Sequence, residues 1–256
     1  MATVDPASLT LAAAMACAAG LVGCFAVMRR MTLAADALSH VALPGIGIAL
    51  LLRIHPAFGA AAALFLGTLL VWSLERRTRF STEAVIGVVF SASLALGSLL
   101  ASGEELIEAL LGRPGALSRT EIVIGLLAAA AVVVFILRAK DRLVVALVSP
   151  DIARTAGIDA PRLDLLYLMA FALTVALGLR YLGALLMGSL VIIPAVAAKR
   201  LASSLRGMLA ASVAIAVFST LAGTVLASRL GRETGPLIIL TAAACFFLSL
   251  FVPREA

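Results

Sequence analysis

The stretch from Ser8 to Met28 reads SLTLAAAMACAAGLVGCFAVM and contains no charged side chain. A helix needs about 20 predominantly apolar residues to cross the hydrocarbon core of a bilayer, so this stretch is long enough to span it. No basic segment precedes it, and apolar segments continue to the end of the chain. It therefore predicts a transmembrane helix and not a secretory signal peptide.

The composition of the whole chain points to the same class. Its 256 residues are 63% hydrophobic and 13% charged, and their mean hydropathy is +1.15. Soluble domains carry about 25% charged residues. One soluble core could not bury so much apolar surface, whereas lipid covers the outside of a membrane-embedded helical bundle. The cysteines lie in apolar segments, at a spacing typical of neither zinc sites nor disulfides, and predict only packing residues.

Nine apolar stretches are long enough to cross a membrane. They cover residues 8–28, 32–52, 56–74, 83–103, 120–137, 163–179, 181–198, 207–228 and 236–252. The predicted fold class is all-α, a polytopic transmembrane helical bundle of eight or nine membrane segments, with residues 1–256 in one domain. Only Arg180 and Tyr181 separate the sixth stretch from the seventh, so whether both cross completely stays open.

The distribution of Lys and Arg predicts the orientation of the bundle. With the N-terminus outside, fourteen of the 20 Lys and Arg residues fall on the inner side and the other six on the outer side. Cytoplasmic connections of membrane proteins are enriched in basic residues. The distribution therefore favours an N-out, C-in topology.

The second stretch carries ionisable side chains away from its ends, namely Asp36 and His40. We place Arg29 at the inner surface and count a rise of about 1.5 Å per residue. Asp36 then lies about 10 Å deep and His40 about 16 Å deep in a hydrocarbon core about 30 Å thick. Because the two residues are four apart, they share one face of the helix.

Three interpretations of this pair are open. An intramembrane carboxylate costs at least about 2.5 kcal/mol on insertion scales, so something must compensate for it. A divalent cation would do so, because carboxylate oxygen and imidazole nitrogen are both ligands of zinc and similar metals. A hydrogen-bonded pair that only packs helices and a proton relay are the alternatives. Two ligands on one helix do not complete a four-coordinate zinc shell, so the residues alone favour the metal only slightly.

Two prolines predict irregular helices in the membrane. The ring of Pro44 opposes the carbonyl of His40, which predicts a kink or an opening just beyond the polar pair. Pro194 likewise predicts a broken or bent helix in the seventh stretch. Small residues that allow close helix approach precede it: Gly178, Gly183 and Gly188.

An inner connection carries strong signals for a short capped helix. Ser149 suits the N-cap, Pro150 suits the first helical position, and Asp151 suits the positive N-terminal end. Gly157 suits the position just after the last turn. A helix of about two turns with Ile152 on one face suits docking to a partner, although a local loop stiffener would carry the same signals.

Together these residues resemble the membrane permeases of bacterial ABC importers for zinc, manganese and iron(II). The matching pieces follow the order of that family and cover most of the chain: Arg29-Arg30-Met31, Asp36-Ala37-Leu38-Ser39-His40, Pro44-Gly45, Ser149-Pro150-Asp151, Ala156-Gly157, Gly183-Ala184-Leu185-Leu186 and Ile192-Ile193-Pro194-Ala195. The family usually has Gly where this chain has Ala35, which replaces one small residue with another.

The resemblance implies a homodimer of two permease copies, two cytoplasmic ATPase subunits and an extracytoplasmic metal-binding protein, in a bacterial cytoplasmic (inner) membrane. It places Asp36 and His40 on the metal path. It also implies that residues 149–157 form the coupling helix, which seats in the ATPase. The coupling residues that it implies are Ser149, Pro150, Asp151, Ala153, Arg154, Ala156 and Gly157.

The chain has no G-x-x-x-x-G-K-[ST] motif, so ATP is expected on a partner subunit and this chain is not expected to be an enzyme. The transported ion is expected to be a divalent metal. Zinc is favoured and manganese is next, because imidazole and carboxylate accommodate both. We expect no permanently bound cofactor and no nucleic-acid partner, and we expect lipid around the spans.

Three other functions compete with this one. A secondary metal/proton antiporter would use Asp36 and His40 as a proton relay and would need no ATPase. An intramembrane metalloprotease is disfavoured, because the chain has no H-E-x-x-H motif and its other histidine, His55, makes a poor ligand set with His40. A scaffold without transport activity is disfavoured by the ionisable residues at membrane depth.

Overall fold

The computed structural model describes residues 6–31, 34–78, 80–100, 118–182 and 184–252. These ranges contain ten α-helices and no β-strand. In chain order the helices are α1 (Pro6–Met28), α2 (Ala34–Leu51), α3 (Pro56–Thr78), α4 (Thr82–Leu100), α5 (Arg119–Val148), α6 (Pro150–Thr155), α7 (Ala160–Leu182), α8 (Ala184–Leu201), α9 (Leu205–Leu230) and α10 (Thr234–Ser249). Gly183, named in the family resemblance, lies outside the described residues.

Six helices are long and apolar enough to cross a membrane, as judged by length and composition: α1, α3, α4, α5, α7 over Ala160–Leu179, and α9. Apolar but shorter helices cover Asp36–Leu51 in α2 and Thr234–Ser249 in α10. The predicted all-helical membrane protein is therefore confirmed. The count of eight or nine crossings and the N-out, C-in topology stay predictions.

The fifth apolar stretch was predicted to end at residue 137, but α5 continues through the polar residues after it to Val148. A helix persists beyond the membrane when one of its faces stays packed against the protein. Buried side chains of α5 follow one another at helical spacing across this boundary: Ile136, Ala139 and Leu143. The packing of this face explains the longer helix.

The helices that contain the two prolines are not interrupted, so an opening at Pro44 and a break at Pro194 are excluded, whereas a kink or bend at either proline stays a prediction. Pro44 lies inside α2, which continues to Leu51, and Pro194 lies inside α8, which continues to Leu201. A proline removes one backbone donor, and neighbouring helices around a membrane span can hold the rest of the helix together. α2 packs against α3, α4 and α8, which supply such support. The polar pair therefore lies on a continuous helix.

α1 is the central helix, and it is buried along most of its length. Its backbone carbonyls accept hydrogen bonds from two neighbours. The Ser212 hydroxyl on α9 donates to the Gly20 carbonyl at 2.8 Å, and the Tyr167 hydroxyl on α7 donates to the Val22 carbonyl at 3.0 Å. A Cβ on Gly23 would lie 1.9 Å from the Val191 carbonyl oxygen of α8. Small residues and shared carbonyls thus let three helices pack closely around α1.

The end of α1 is held by a partly buried cation. The Arg29 guanidinium forms an ion pair with Asp164 in the first turns of α7, and its side chain is 12% exposed. The same guanidinium lies 4.6 Å from the centroid of the Tyr167 ring, an arrangement that adds a cation–π attraction. Arg30, which follows, has a positive φ of 59°. The connection that leads to α2 therefore begins at a fixed point beside α7.

α2 and α3 cross where a glycine of one helix meets a glycine of the other. A Cβ on Gly45 would lie 2.1 Å from the Gly59 carbonyl oxygen, and a Cβ on Gly59 would lie 2.1 Å from the Gly45 carbonyl oxygen. Neither position has room for a side chain. This crossing fixes α2, the helix that carries the polar pair, against α3.

Replacing Gly45 with Ala is expected to lower the melting temperature of the purified protein in detergent. Alanine has the higher helix propensity by about 1 kcal/mol, but overpacking against a fixed backbone costs about 1–3 kcal/mol. Gly87→Ala is the matched control, because a Cβ there meets nothing within 4 Å. We expect the control to melt at the same or a higher temperature. Equal melting of the two variants would contradict the close crossing.

Candidate functional site

One face of α2 is left partly uncovered by the other described residues. Its residues recur every three to four positions: Asp36, His40, Pro44, Ile48 and Leu51. Asp36, Ile48 and Leu51 are exposed, and His40 and Pro44 are half-buried. Between them, Leu38 and the run from Val41 to Leu43 are buried. We call these five residues the free face of α2. It places the carboxylate and the imidazole on one continuous surface.

Asp36 packs against α8 at a glycine. A Cβ on Gly188 would lie 3.3 Å from both the Cα and the Oδ1 of Asp36, so the glycine gives the carboxylate its room. No described residue donates a hydrogen bond to this carboxylate or forms an ion pair with it. The sequence predicted a buried residue here, whereas Asp36 is exposed in the single chain. Its charge is thus uncompensated within the described part of its own subunit.

His40 is held by an aromatic ring. Its imidazole meets the Phe90 ring of α4 in an edge-to-face arrangement, with centroids 5.5 Å apart and an interplanar angle of 62°. Its Nδ1 is buried and has no hydrogen-bond partner among the described residues. The second histidine, His55, is exposed at the start of α3, where its Nδ1 accepts the backbone N–H of Ala57 at 3.2 Å. His55 therefore caps a helix.

The pair offers one oxygen ligand group and one nitrogen ligand group, four residues apart on the same face. Among the described residues, no group of three or more His, Cys, Asp and Glu side chains could hold a metal ion. A structural zinc site normally has four protein ligands. The free face can therefore supply only part of the coordination shell of a divalent cation.

The predicted short inner helix is present as α6. The Ser149 hydroxyl accepts the backbone N–H of Ile152 at 3.3 Å, and Pro150 occupies the first turn. After the helix, the N–H of Gly157 donates to the Arg154 carbonyl at 3.1 Å, and the next N–H donates to the Ala153 carbonyl at 2.8 Å. These two bonds form a Schellman motif, with Gly157 at a φ of 71°. Both ends of α6 are thus closed by hydrogen bonds.

α6 is attached to the body of the protein by one side and presents the other side outward. Ala153 is fully buried. Ile152 is 59% exposed, and Asp151, Arg154 and Ala156 are exposed as well. Among the predicted coupling residues, Ala153 is the buried anchor, and Ser149 and Gly157 cap the helix. Asp151, Arg154 and Ala156 face outward. The outward surface combines an apolar side chain with both signs of charge.

Two residues at the pair went unrecognised in the sequence. Gly188 had been interpreted as a packing residue without a link to Asp36, and Phe90 carries no signal, since it is one apolar residue within an apolar stretch. Their contacts with Asp36 and His40 join helices far apart in the chain. A sequence pattern confined to α2 could not reveal them.

The sequence matches a known model of a protein family. A model of the ABC 3 transport family matches residues 3–253. The chain belongs to the ABC 3 transport family. The resemblance drawn from the motifs, to permeases of metal-type ABC importers, is thereby confirmed. Members of this family are membrane permease subunits, with ATP hydrolysis on a separate subunit.

Curated relatives within the family are named for the transport of different metals. The high-affinity zinc uptake system membrane protein ZnuB of Haemophilus influenzae is 30% identical over 238 residues, which are 90% of each chain. The manganese import system permease protein ScaB of Streptococcus parasanguinis is 27% identical, over 97% of this chain and 90% of that one. Identity at this level does not distinguish zinc from manganese.

A solved structure has the same fold. PsaBC from Streptococcus pneumoniae, in complex with Fab, superposes with a TM-score of 0.83 at 26% identity. The match covers 97% of this chain and 91% of that chain. The arrangement of helices described above is therefore a fold of this family.

Proposed function

We propose that this chain is the permease subunit of an ATP-binding cassette importer that moves a divalent transition metal ion into the cytoplasm. The observation that carries the proposal is the free face of α2, where Asp36 and His40 lie four residues apart and neither the Asp36 carboxylate nor the His40 Nδ1 has a hydrogen-bond partner among the described residues. A carboxylate without a partner at membrane depth is costly, and a divalent cation compensates for it. Relatives named for zinc and manganese transport support this choice.

The proposed transporter contains two copies of the chain. The free face of α2 exposes a carboxylate together with the apolar side chains of Ile48 and Leu51. Lipid would leave the carboxylate uncompensated, whereas a second copy would enclose a polar passage between two such faces. Each copy would contribute one carboxylate and one imidazole. Few ligands and a shared passage suit an ion that must bind and then leave.

The proposed coupling element is α6 with its caps. We place it on the cytoplasmic side, in line with the N-out, C-in topology. Ile152 and the charged residues around it would seat in a pocket of the ATPase, while α6, in which Ala153 is buried, packs against α5 and α7. Movement of the ATPases would then reach the membrane helices through this attachment. On the opposite side, an extracytoplasmic metal-binding protein would deliver the ion.

The proposed cargo is zinc, with manganese as the second choice. Both ions accept imidazole nitrogen and carboxylate oxygen. Selectivity would then reside largely in the binding protein. The proposed location is the bacterial cytoplasmic membrane, which the relatives' bacterial sources support.

The alternative is a secondary metal/proton antiporter, in which the same pair relays protons. An experiment with proteoliposomes separates the two functions. We expect permease reconstituted with its ATPase and binding protein to accumulate radioactive zinc only when ATP can be hydrolysed. A proton gradient alone should drive no uptake. Uptake driven by the gradient and indifferent to an inactive ATPase would replace our proposal with the antiporter.

A further inference from the structure

The immediate surroundings of His40 differ from those of most metal-binding histidines. Such a histidine almost always donates its second ring N–H to a carboxylate, a carbonyl or a water molecule. This partner fixes the ring and raises its basicity, and losing it typically costs about 10–100-fold in metal affinity or activity. The imidazole of His40 instead meets the ring of Phe90 edge to face, and its Nδ1 has no partner among the described residues.

We propose that Phe90 is a positioning residue that holds His40 for cation binding through Nε2 while denying Nδ1 a hydrogen-bond acceptor. The inference rests on the proposed function, because it concerns how tightly the same pair holds its ion. The aromatic contact restricts the imidazole ring, and we assign the cation to Nε2 because Nδ1 is the buried ring nitrogen. The ligand is oriented but remains weak. Weak binding allows rapid release of the cation.

The position of Phe90 is fixed by the packing of α4 against α2. A Cβ on Gly47 would lie 2.7 Å from the Leu100 Cβ, and a Cβ on Gly97 would lie 2.7 Å from the Leu43 Cβ. Two reciprocal contacts of this kind hold the helices closely together beyond the pair. Phe90 is itself half-buried beside His40. The backbone that carries Phe90 is therefore held beside the helix that carries His40.

The test compares two replacements of Phe90 that differ in hydrogen bonding. Phe90→Gln supplies an amide oxygen that can accept from Nδ1, whereas Phe90→Leu supplies an apolar side chain without an acceptor. We measure binding of zinc to the purified permease–ATPase complex without the binding protein, and turnover of uptake with it. We expect Phe90→Gln to bind zinc about tenfold more tightly and to turn over more slowly. Phe90→Leu should bind no more tightly than the unmodified protein.

This pattern is distinct from structural damage, which would weaken binding and slow turnover together. If Phe90→Gln, still assembled with its ATPase, binds zinc no more tightly, the inference is overturned. Asp36→Ala separates this failure from failure of the proposed function. Loss of uptake in Asp36→Ala, with no gain in Phe90→Gln, would leave the transport proposal standing without the role of Phe90.

A second measurement identifies which nitrogen of the His40 imidazole carries the proton and which binds zinc. The chain has two histidines, so a His55→Asn background leaves His40 as the single histidine. Nuclear magnetic resonance of isotope-labelled histidine then shows which nitrogen carries the proton. We expect zinc on Nε2 and a proton on Nδ1 without a hydrogen bond. A zinc ion on Nδ1 would contradict the assignment.

Discussion

Uptake of zinc or manganese is expected to fall to background when either Asp36 or His40 is replaced by Ala, while the permease still assembles with its ATPase. The free face of α2 offers only these two side chains as ligands, so each variant loses half of the subunit's contribution. Loss of the hydrogen-bond partner of a metal ligand alone costs about 10–100-fold in metal affinity or activity, and loss of the ligand itself should cost at least as much. The measurement is uptake of radioactive metal into proteoliposomes, together with copurification of the ATPase.

The matched control for this experiment is Ile48→Ala. Ile48 lies on the same face of α2 and is 48% exposed, but it cannot bind a cation. We expect this variant to retain most of its uptake. Asp36→Glu keeps the carboxylate and should recover part of the activity. If both alanine variants transport metal at the normal rate, Asp36 and His40 are structural and the transport proposal loses its basis.

A negative charge at Ile152 is expected to separate the permease from its ATPase. In Ile152→Asp, a carboxylate would replace the apolar side chain that α6 presents outward and would be buried without a partner in the ATPase pocket. Loss of a central apolar contact at an interface costs about 2 kcal/mol or more, which corresponds to about 30-fold weaker binding. We expect the ATPase to be lost from the purified complex, and metal-driven ATP hydrolysis to be lost with it.

Ser203→Asp is the matched control for the coupling helix. Ser203 is an exposed residue in the connection between α8 and α9, so the variant adds the same charge outside α6. We expect it to copurify with the ATPase normally. The melting temperature of Ile152→Asp should also be unchanged, because the side chain is 59% exposed in the single chain. An intact complex in Ile152→Asp would mean that the ATPase docks elsewhere.

At the prolines, local sequence rules are not sufficient to predict the structure of the helix. From its missing N–H and its ring, Pro44 was expected to kink or open α2 just beyond the polar pair. The helix continues to Leu51 without an opening. Close packing through Gly45 against α3 and through Gly47 against α4 surrounds the proline on both sides. Sequence alone could not supply this outcome, because the supporting contacts come from other helices.

The coupling helix shows the opposite case, in which local rules were sufficient. Ser149 and Gly157 occupy the N-terminal and C-terminal capping positions that the sequence predicted. Their hydrogen bonds connect residues close together in the chain, so local chemistry determines them. Which side of the helix faces outward was only partly predictable. The burial of Ala153 depends on its contact with the body of the protein.

By itself, the sequence determined that this is an all-helical membrane protein with an ionisable pair on one face of α2, because composition and a spacing of four residues need no partner helix to be interpreted. The tertiary structure alone decided the surroundings of that pair. It placed Gly188 against Asp36, placed Phe90 against His40, and left Nδ1 without a hydrogen bond to any described residue. These contacts join three helices. The sequence of one helix does not specify which side chains of the neighbouring helices pack against it.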